Sequence, residues 1–320
     1  MIGSAAAPRT GIDRLALGAA LVTVVLWASA FVGIRAAAAD LSPGSLALGR
    51  LMVGSIALGL LVAARGWQRP SGRDLAFITA FGLVWFAGYN LTLNEAERNV
   101  DAGTAAMLVN TGPIFIAILA GIFLREGFPA RLMVGCFVAF AGAVVIGLTV
   151  SAESQVAGDS TLGILLCLVA AIAYASGVTL QKPALRGVSA LEVTFLGCLV
   201  GTIACLPFAP GLAKELVAAS SATIFWLVYL GVFPTAIGFT TWAFALSRTP
   251  AGRLGSTTYL IPPVVIAISW LLLGEVPAML SLAGGALCIA GVIVARSGVS
   301  LRRPAASRQV AEPVPEAAPD

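Results

Sequence analysis

The stretch Asn110–Phe128 reads NTGPIFIAILAGIFLREGF, and a related stretch, Tyr259–Pro277, reads YLIPPVVIAISWLLLGEVP. In each, a proline stands before an apolar run, and a glutamate follows that proline by 13 positions. An unusual segment that occurs twice at a fixed spacing indicates an internal repeat. The pair therefore predicts that the chain is built from two related halves.

The similarity extends beyond these two segments. An offset of 149 residues aligns 102–145 with 251–294, and the identical positions include the proline and the glutamate of each segment. An offset of 147 aligns WAS at 27–29 with YAS at 174–176, and GSIA at 54–57 with GTIA at 201–204. The internal repeat therefore extends over most of the chain.

Composition indicates that most of the chain meets lipid. Of its 320 residues, 59% are hydrophobic and only 11% are charged, whereas soluble domains carry roughly a quarter charged residues. The net charge is only +4, and the basic residues are spread along the chain, so nucleic acid is not an expected partner. There is no histidine, and the five cysteines lie in apolar runs without a CxxC pair, so no metal or other cofactor is expected.

The apolar runs are long enough for membrane helices, which need about 20 residues each. The predicted fold is an all-α integral membrane protein with ten transmembrane helices, arranged as two inverted five-helix repeats. The ten candidate spans are 15–37, 45–64, 75–94, 103–124, 131–149, 162–182, 191–210, 223–246, 254–273 and 277–295.

Basic residues predict the orientation, because cytoplasmic loops are rich in Lys and Arg. With the N-terminus inside, fifteen basic residues lie in inner segments, and only Arg35, Arg50, Arg98 and Lys214 lie outside. The predicted organisation is a cytoplasmic segment at 1–14, a first repeat at 15–150, an external linker at 151–161, a second repeat at 162–296 and a disordered cytoplasmic tail at 297–320. We expect the chain in the plasma membrane, the inner membrane of a bacterium, with both termini cytoplasmic.

Five spans per half is an odd number, so the second half enters the bilayer upside down. Inverted repeats are typical of secondary transporters, in which two halves expose a shared site to each side in turn. The order and spacing of WAS-x-F in the first span, NT-x-P-x-F and RE around the fourth, and the P-x12-E of the ninth resemble the EamA-type exporters of the drug/metabolite transporter superfamily. This resemblance implies a carrier that exports amino acids or related metabolites.

Polar and aromatic side chains inside the spans are candidates for a substrate site, because polar groups in hydrocarbon are costly unless they pair or line water. Together they suit a small amphipathic solute, with rings for its apolar part and amides or hydroxyls for its polar end. The predicted substrate-binding residues are Trp27, Ser29, Tyr89, Asn90, Asn110, Thr111, Tyr174, Ser176, Trp242 and Tyr259. For each residue a structural role, such as a bond to its own helix backbone, stays open.

Two further groups of residues are candidates for motion and coupling. Gly112-Pro113 and Pro262-Pro263 interrupt helical hydrogen bonding and are predicted kinks or hinges. Candidate coupling residues stand at span ends, where capping of a neighbouring helix is the alternative: Glu95, Glu126 and Glu275. Arg50 interrupts the start of the second span, where it either reaches the interface or contacts an anionic substrate group.

Other functions stay open at this point. A metalloprotease or a serine enzyme lacks its histidine, and no aspartate lies inside a span, so an intramembrane enzyme is not expected. A membrane sensor or scaffold without transport, or a permease for drugs or other metabolites, is not excluded. The small-residue patterns Gly135-x3-Ala139 and Gly291-x3-Ala295 either pack the two halves or form a weak homodimer.

Overall fold

A computed structural model describes residues 13–67, 69–96, 98, 108–153, 161–273 and 279–297. Within these ranges the chain is helical and contains no strand. Glu275, the first twelve residues, most of the predicted linker and the tail beyond 297 lie outside the described residues. The helices are α1 Arg14–Ala37, α2 Pro43–Arg65, α3 Gly72–Ala96, α4 Gly112–Phe123, α5 Ala130–Glu153, α6 Thr161–Ala184, α7 Ala190–Ala204, α8 Ala209–Ala218, α9 Ser221–Arg248, α10 Ala251–Ser256, α11 Ile261–Leu273 and α12 Met279–Arg296.

Many of these helices present apolar side chains on the outside of the bundle. Leu15, Leu60 and Phe123 are exposed leucines and phenylalanines of this kind. Six of the described helices are long and apolar enough to cross a membrane, and α7 with α8, bent by 50°, would add a seventh span. The observed architecture is thus a multi-pass helical bundle, and the count of ten spans stays a prediction.

Two predicted spans of the second half are interrupted in the structure. In span 191–210 the α-helix α7 ends at Ala204, and a short 3-10 helix, Leu206–Phe208, leads into α8. Span 254–273 consists of α10, the 3-10 turn Thr257–Leu260 and α11. The apolar pattern alone did not show either break.

The helix starts follow from capping residues. Ser71 accepts a hydrogen bond from the backbone N–H of Asp74, and Ser220 does the same for Thr223. Ser189 and Glu192 form a capping box at the start of α7. Serine is a favoured N-cap because its hydroxyl satisfies an N–H that the first turn leaves without a partner.

The starts recur at the offsets seen in the sequence. α1 and α6 begin 147 residues apart, as do α2 and α7. α3 and α9 begin 149 residues apart, as do α4 and α11, and α5 and α12. The π-helical segments Gly82–Tyr89 in α3 and Gly231–Gly238 in α9 are separated by the same 149 residues. The chain therefore builds the same order of helices twice.

Equivalent helices of the two halves also contact each other. Ser55 in α2 and Thr202 in α7, which are 147 residues apart, share a hydrogen bond of 2.9 Å between their hydroxyls. Cys288 Sγ in α12 donates to the carbonyl oxygen of Ala139 in α5, 149 residues away, at 3.4 Å. Contacts between equivalent positions are typical of a two-fold relation between related units.

The small-residue patterns of α5 and α12 pack against one another within the chain. A Cβ placed on Gly135 would lie 2.4 Å from the backbone nitrogen of Ala295, and one on Gly291 would lie 2.4 Å from that of Ala139. Side chains larger than hydrogen do not fit at such distances. Of the two roles left open by the sequence, this face serves the packing of the two halves.

The connection after α1 is tied to the second half. Asp40 accepts hydrogen bonds from the hydroxyl of Thr223 at 2.6 Å, and from the backbone N–H and the hydroxyl of Ser220 at 3.0 and 2.9 Å. These donors, the Thr223 hydroxyl first, lower the pKa of Asp40 below its ordinary value because they stabilise the carboxylate.

Candidate substrate-binding cavity

A cavity lies where α1, α2, α3, α6 and α9 meet the starts of α4 and α11 and the residues just before them. Counting all space between its lining atoms and its open mouth, it has a volume of about 800 Å³. Its lining is Trp27, Ala30, Ile34, Arg50, Trp85, Tyr89, Asn90, Leu93, Val109, Asn110, Pro113, Tyr174, Phe239, Thr258 and Ile261. The lining combines an apolar surface with a few amide, hydroxyl and guanidinium groups, which is the usual make-up of sites for small molecules.

One wall of the cavity is aromatic, with Trp27 at its centre. The ring of Trp27 lies 5.1 Å from Phe239, 5.9 Å from Trp85 and 6.3 Å from Tyr174, measured between ring centroids. Trp242 stacks behind Trp27 at 5.1 Å. Rings held at such distances form a stiff apolar surface, against which the apolar part of a ligand can pack.

The π-helical segments place polar groups beside these rings. The Trp27 Nε1 donates to the carbonyl oxygen of Pro234 at 3.3 Å, which fixes the orientation of the indole. Asn90, directly after the first π-helical segment, donates its Nδ2 to the carbonyl oxygen of Phe86 at 2.8 Å. π-Helical turns are rare and occur frequently at functional sites.

A charged side chain occupies another part of the wall. The Nε and Nη2 of Arg50 both donate to the hydroxyl oxygen of Thr235, at 3.2 and 3.1 Å. Thr235 in turn donates its hydroxyl to the carbonyl oxygen of Leu230, five residues earlier. Both side chains are buried. The guanidinium group is therefore held in the wall by the second half of the chain.

Both halves contribute to the cavity through equivalent positions. Trp27 and Tyr174, 147 residues apart, both line it. Val109 and Thr258, 149 residues apart, do so as well, and the Tyr174 hydroxyl donates to the Thr258 hydroxyl oxygen at 3.4 Å. The cavity thus lies where the two halves meet.

The structure brings together half of the ten predicted binding residues. Trp27, Tyr89, Asn90, Asn110 and Tyr174 line the cavity. The other five, Ser29, Thr111, Ser176, Trp242 and Tyr259, are not among its lining residues.

The side chains outside the lining have other surroundings. Ser29 bonds to the hydroxyl of Tyr229 at 2.7 Å and donates to the carbonyl oxygen of Leu26, and Thr111 donates to that of Leu108. Trp242 and Tyr259 are buried, and within the described part of the chain the Trp242 Nε1 and the Tyr259 hydroxyl have no hydrogen-bond partner. Tyr259 packs in a separate apolar cluster with residues of α5 and α12.

Several lining residues were not predicted from the sequence. Trp85 precedes Tyr89 by four residues, so one face of a helix carries both rings. Phe239 is the 149-residue partner of Asn90. Applying the repeat offset to each candidate would have indicated Phe239, since its partner Asn90 was already one of them.

The predicted kinks coincide with helix starts. Pro113 lies in the first turn of α4, and Pro262 and Pro263 lie in the first turn of α11 after the 3-10 turn. A proline in a first turn costs no hydrogen bond, because the N–H there has no partner within the helix. The breaks therefore precede the prolines, and Pro113 also lines the cavity.

Two of the predicted coupling residues, Glu95 and Glu126, are described, and neither is among the cavity-lining residues. The two carboxylate oxygens of Glu126 accept hydrogen bonds from the backbone N–H groups of Ala251 and Gly252, at 2.8 and 3.2 Å. This is helix capping, the alternative that the sequence left open. Glu95 forms an exposed ion pair of 3.7 Å with Arg98.

Lys182 holds the same region as Glu126. Its Nζ donates to the carbonyl oxygens of Leu246 and Thr249, at the end of α9 and just after it. The turn between α9 and α10 is therefore held from two sides. Lys182 of α6 binds the end of α9, and Glu126 of the first half binds the start of α10. These bonds connect the helices at the end of the bundle opposite the Asp40 connection.

The fold defines a multi-pass helical membrane protein with a cavity between two related halves. A model of the EamA-like transporter family matches residues 14–148 and again residues 161–297. The chain belongs to this family, whose members are transporters and not enzymes.

Individual relatives agree with this assignment. The chain is 36% identical over 294 residues to a protein of Streptantibioticus cattleyicolor named "Probable terminal-alkyne amino-acid exporter", covering 91% of this chain and 97% of that one. It is 26% identical over 298 residues to a Salmonella typhimurium protein named "Probable amino-acid metabolite efflux pump", covering 89% and 96%. A solved crystal structure with 18% identity matches at a TM-score of 0.74 over 89% of this chain and 97% of that one, which supports the fold.

Proposed function

We propose that this protein is a secondary transporter that exports amino acids or related small amphipathic metabolites by alternating access through the cavity. The observation that carries the proposal is an aromatic-lined cavity at which equivalent residues of both halves meet. A site shared by two related halves is what rocking of one half against the other requires. The two named exporters among the relatives support the substrate class.

The recurring helix starts support two five-helix repeats, with ten spans in all. Because five is odd, the second repeat then has the opposite orientation in the membrane. In the orientation that the basic residues predict, with both termini cytoplasmic, the cavity is lined by the external ends of α1 and α3 and by the start of α2. The bonds of Glu126 and Lys182 close the cytoplasmic end. The described conformation then corresponds to a state open to the outside of a plasma membrane.

The substrate-contacting residues in this proposal are those of the aromatic and polar wall: Trp27, Trp85, Tyr89, Asn90, Asn110, Tyr174 and Phe239. The breaks before Pro113 and Pro262 serve as flexible points between the halves. The use of both small-residue faces for internal packing favours a monomer.

The test is export from cells that overproduce the protein, loaded with individual amino acids as dipeptides. Accelerated efflux that Trp27→Ala abolishes, with normal amounts of protein in the membrane, would support the proposal. Thr149→Ala, at a site remote from the cavity, is the matched control. Unchanged efflux of every amino acid, together with unchanged cellular levels of other metabolites, would favour the sensor or scaffold alternative.

The energy source is tested separately in proteoliposomes. Within the described spans, the cavity lining contains no carboxylate that a proton could neutralise, so we propose facilitated efflux or exchange. Substrate accumulation that follows an imposed pH gradient would contradict this part of the proposal and return attention to Glu95 and Glu126.

A further inference from the structure

Arg50 is the charged member of the described cavity lining. It is only 6% exposed, and it is the residue of α2 that lines the cavity. A positive charge at such a depth is costly, and in membrane proteins these charges usually face a substrate or ion path. Its place in the wall therefore bears on which substrates the cavity accepts.

The surroundings of Arg50 form a built site. Thr235 receives both donors of one edge of the guanidinium group, and Thr235 itself is fixed by its bond to Leu230 within the π-helical segment. A Cβ on Gly54 would lie 2.8 Å from the Thr235 Cγ2, so the glycine lets α2 and α9 approach closely here. A planar, positioned guanidinium group suits a planar carboxylate.

The remaining wall completes the pattern of an amino acid. Asn90 lines the cavity, and while its Nδ2 donates to the carbonyl oxygen of Phe86, the acceptor atom of its amide is Oδ1, a group that suits an ammonium. Trp27, Trp85 and Tyr174 supply an apolar surface in the same cavity. Carboxylate, ammonium and apolar side chain thus each have a complementary part of the lining.

We propose that the substrate is an amino acid with a free α-carboxylate and an apolar side chain, and that Arg50 selects it through the carboxylate. This inference rests on the proposed function, because it places the substrate in the same cavity. Arg50 then sets specificity: amines without a carboxylate bind weakly, even when their apolar part fits.

The experiment measures binding of four probes to the purified full-length protein: L-phenylalanine, L-leucine, 3-phenylpropanoate and phenethylamine. Phenethylamine lacks the carboxylate, and 3-phenylpropanoate lacks the amine. We expect Arg50→Gln to weaken binding of the three carboxylates roughly 10- to 100-fold, as expected for loss of a charge-assisted hydrogen bond, and to leave phenethylamine unchanged. Arg50→Lys should recover part of the loss.

Arg65→Gln, on the same helix but exposed, is the matched control and should change nothing. If Arg50→Gln does not fold, Thr235→Val tests the same contact by removing the hydroxyl that positions the guanidinium group, and should produce a smaller loss with the same selectivity. Equal losses for carboxylates and for phenethylamine would overturn the inference while leaving export intact. Failure of the wild-type protein to bind or export any amino acid would overturn the proposed function as well.

A second inference comes from Gln181, near the end of α6. Its side chain is fully buried, and neither its Nε2 nor its Oε1 has a hydrogen-bond partner within the described residues. An amide in this state costs free energy, so such groups are rare. Its partner at the 147-residue offset is Ile34, which lines the open cavity.

We also infer that Gln181 lines the path on the opposite side of the membrane once the cytoplasmic end opens, and that its amide then binds water or the substrate. Two related halves exchange roles when the site changes sides, so the position equivalent to Ile34 then lines the open cavity. The neighbouring residue, Lys182, holds the closing bonds to Leu246 and Thr249. Opening of that end and exposure of Gln181 are therefore the same event.

The test is labelling of single cysteines with a membrane-impermeant maleimide in vesicles of both orientations. Gln181→Cys should react from the cytosolic face and Ile34→Cys from the external face. Ala175→Cys, at a buried position of α6, is the matched control. Labelling of the wild-type protein gives the background reactivity of the five buried native cysteines. Gln181→Cys that stays as unreactive as Ala175→Cys, in a protein that still exports substrate, would overturn this inference alone.

Discussion

The close contact between α5 and α12 allows a prediction whose size follows from distances. A Cβ on Gly291 would lie 2.4 Å from the backbone nitrogen of Ala139 and 2.6 Å from the carbonyl oxygen of Gly135. These are main-chain atoms of a helix, so they cannot rotate away as a side chain would. Gly291→Leu should therefore push the two helices apart by about 1 Å or more, since ordinary contacts lie at about 3.5–4 Å.

The expected cost is at least about 3 kcal/mol, the upper part of the range for overpacking, because a whole side chain is added against main-chain atoms. Gly18→Leu is the matched control. Gly18 lies in the interior of α1, and apart from its chain neighbours and the adjacent backbone of the helix no described atom lies within 4 Å of where its Cβ would be. There the change should stabilise the protein by up to about 1 kcal/mol, because glycine is a poor helix former.

Thermal unfolding of the purified protein in detergent measures both variants. The unfolding temperature should fall by several degrees for Gly291→Leu and stay level or rise slightly for Gly18→Leu. Equal unfolding temperatures for wild type and Gly291→Leu would refute the packing of the two halves through α5 and α12. Dimerisation through the same face would instead make the unfolding temperature of the wild-type protein depend on its concentration.

Three other changes have definite expectations. Gly112→Ala would place a Cβ 2.6 Å from the Tyr174 Cδ1 and displace the ring in the cavity wall. Substrate affinity should then fall about tenfold, which corresponds to a loss of roughly 1.4 kcal/mol. Unchanged affinity in a binding assay would contradict the placement of Tyr174. Asp40 has a lowered pKa, so its carboxylate stabilises the folded state at pH values above 3.8, the ordinary pKa of the group, and this contribution is lost as the pH falls through the lowered pKa. The unfolding temperatures of wild type and Asp40→Asn should therefore differ near neutral pH and converge in acid. A gap that widens in acid would be inconsistent with the assigned bonds. Glu126→Gln should lower the free energy of unfolding by about 0.5–1 kcal/mol, because the neutral amide is a weaker cap of α10. The response of transport to a pH gradient should not change. Loss of that response would show that Glu126 is a coupling residue.

The sequence predicted the helical membrane class for a simple physical reason. A span must satisfy its backbone polar groups internally and present apolar side chains to lipid, so hydropathy alone identifies the segments. The repeat offsets of 147 and 149 were also visible in the residues, and the helix starts at Ser71 and Ser220 follow the same offset. These are properties of the local chain, which needs no partner to express them.

The cavity was predicted only in part, because its members come from many helices. Trp27, Asn90 and Tyr174 were identified as polar or aromatic residues inside spans, a property that Trp242 and Tyr259 share. Trp242 instead stacks behind Trp27, and Tyr259 packs with α5 and α12. Which face of a helix meets the cavity depends on how neighbouring helices pack.

The sequence by itself determined that the chain is a membrane bundle with an internal repeat and a supply of aromatic and amide groups inside its spans. Only the tertiary structure decided which of those groups share one space. It placed Arg50 against Thr235, 185 residues away, and paired Glu126 with the N-terminus of α10. Contacts at such separations arise because helices of the two halves pack side by side, and no local pattern records which residues will then face each other.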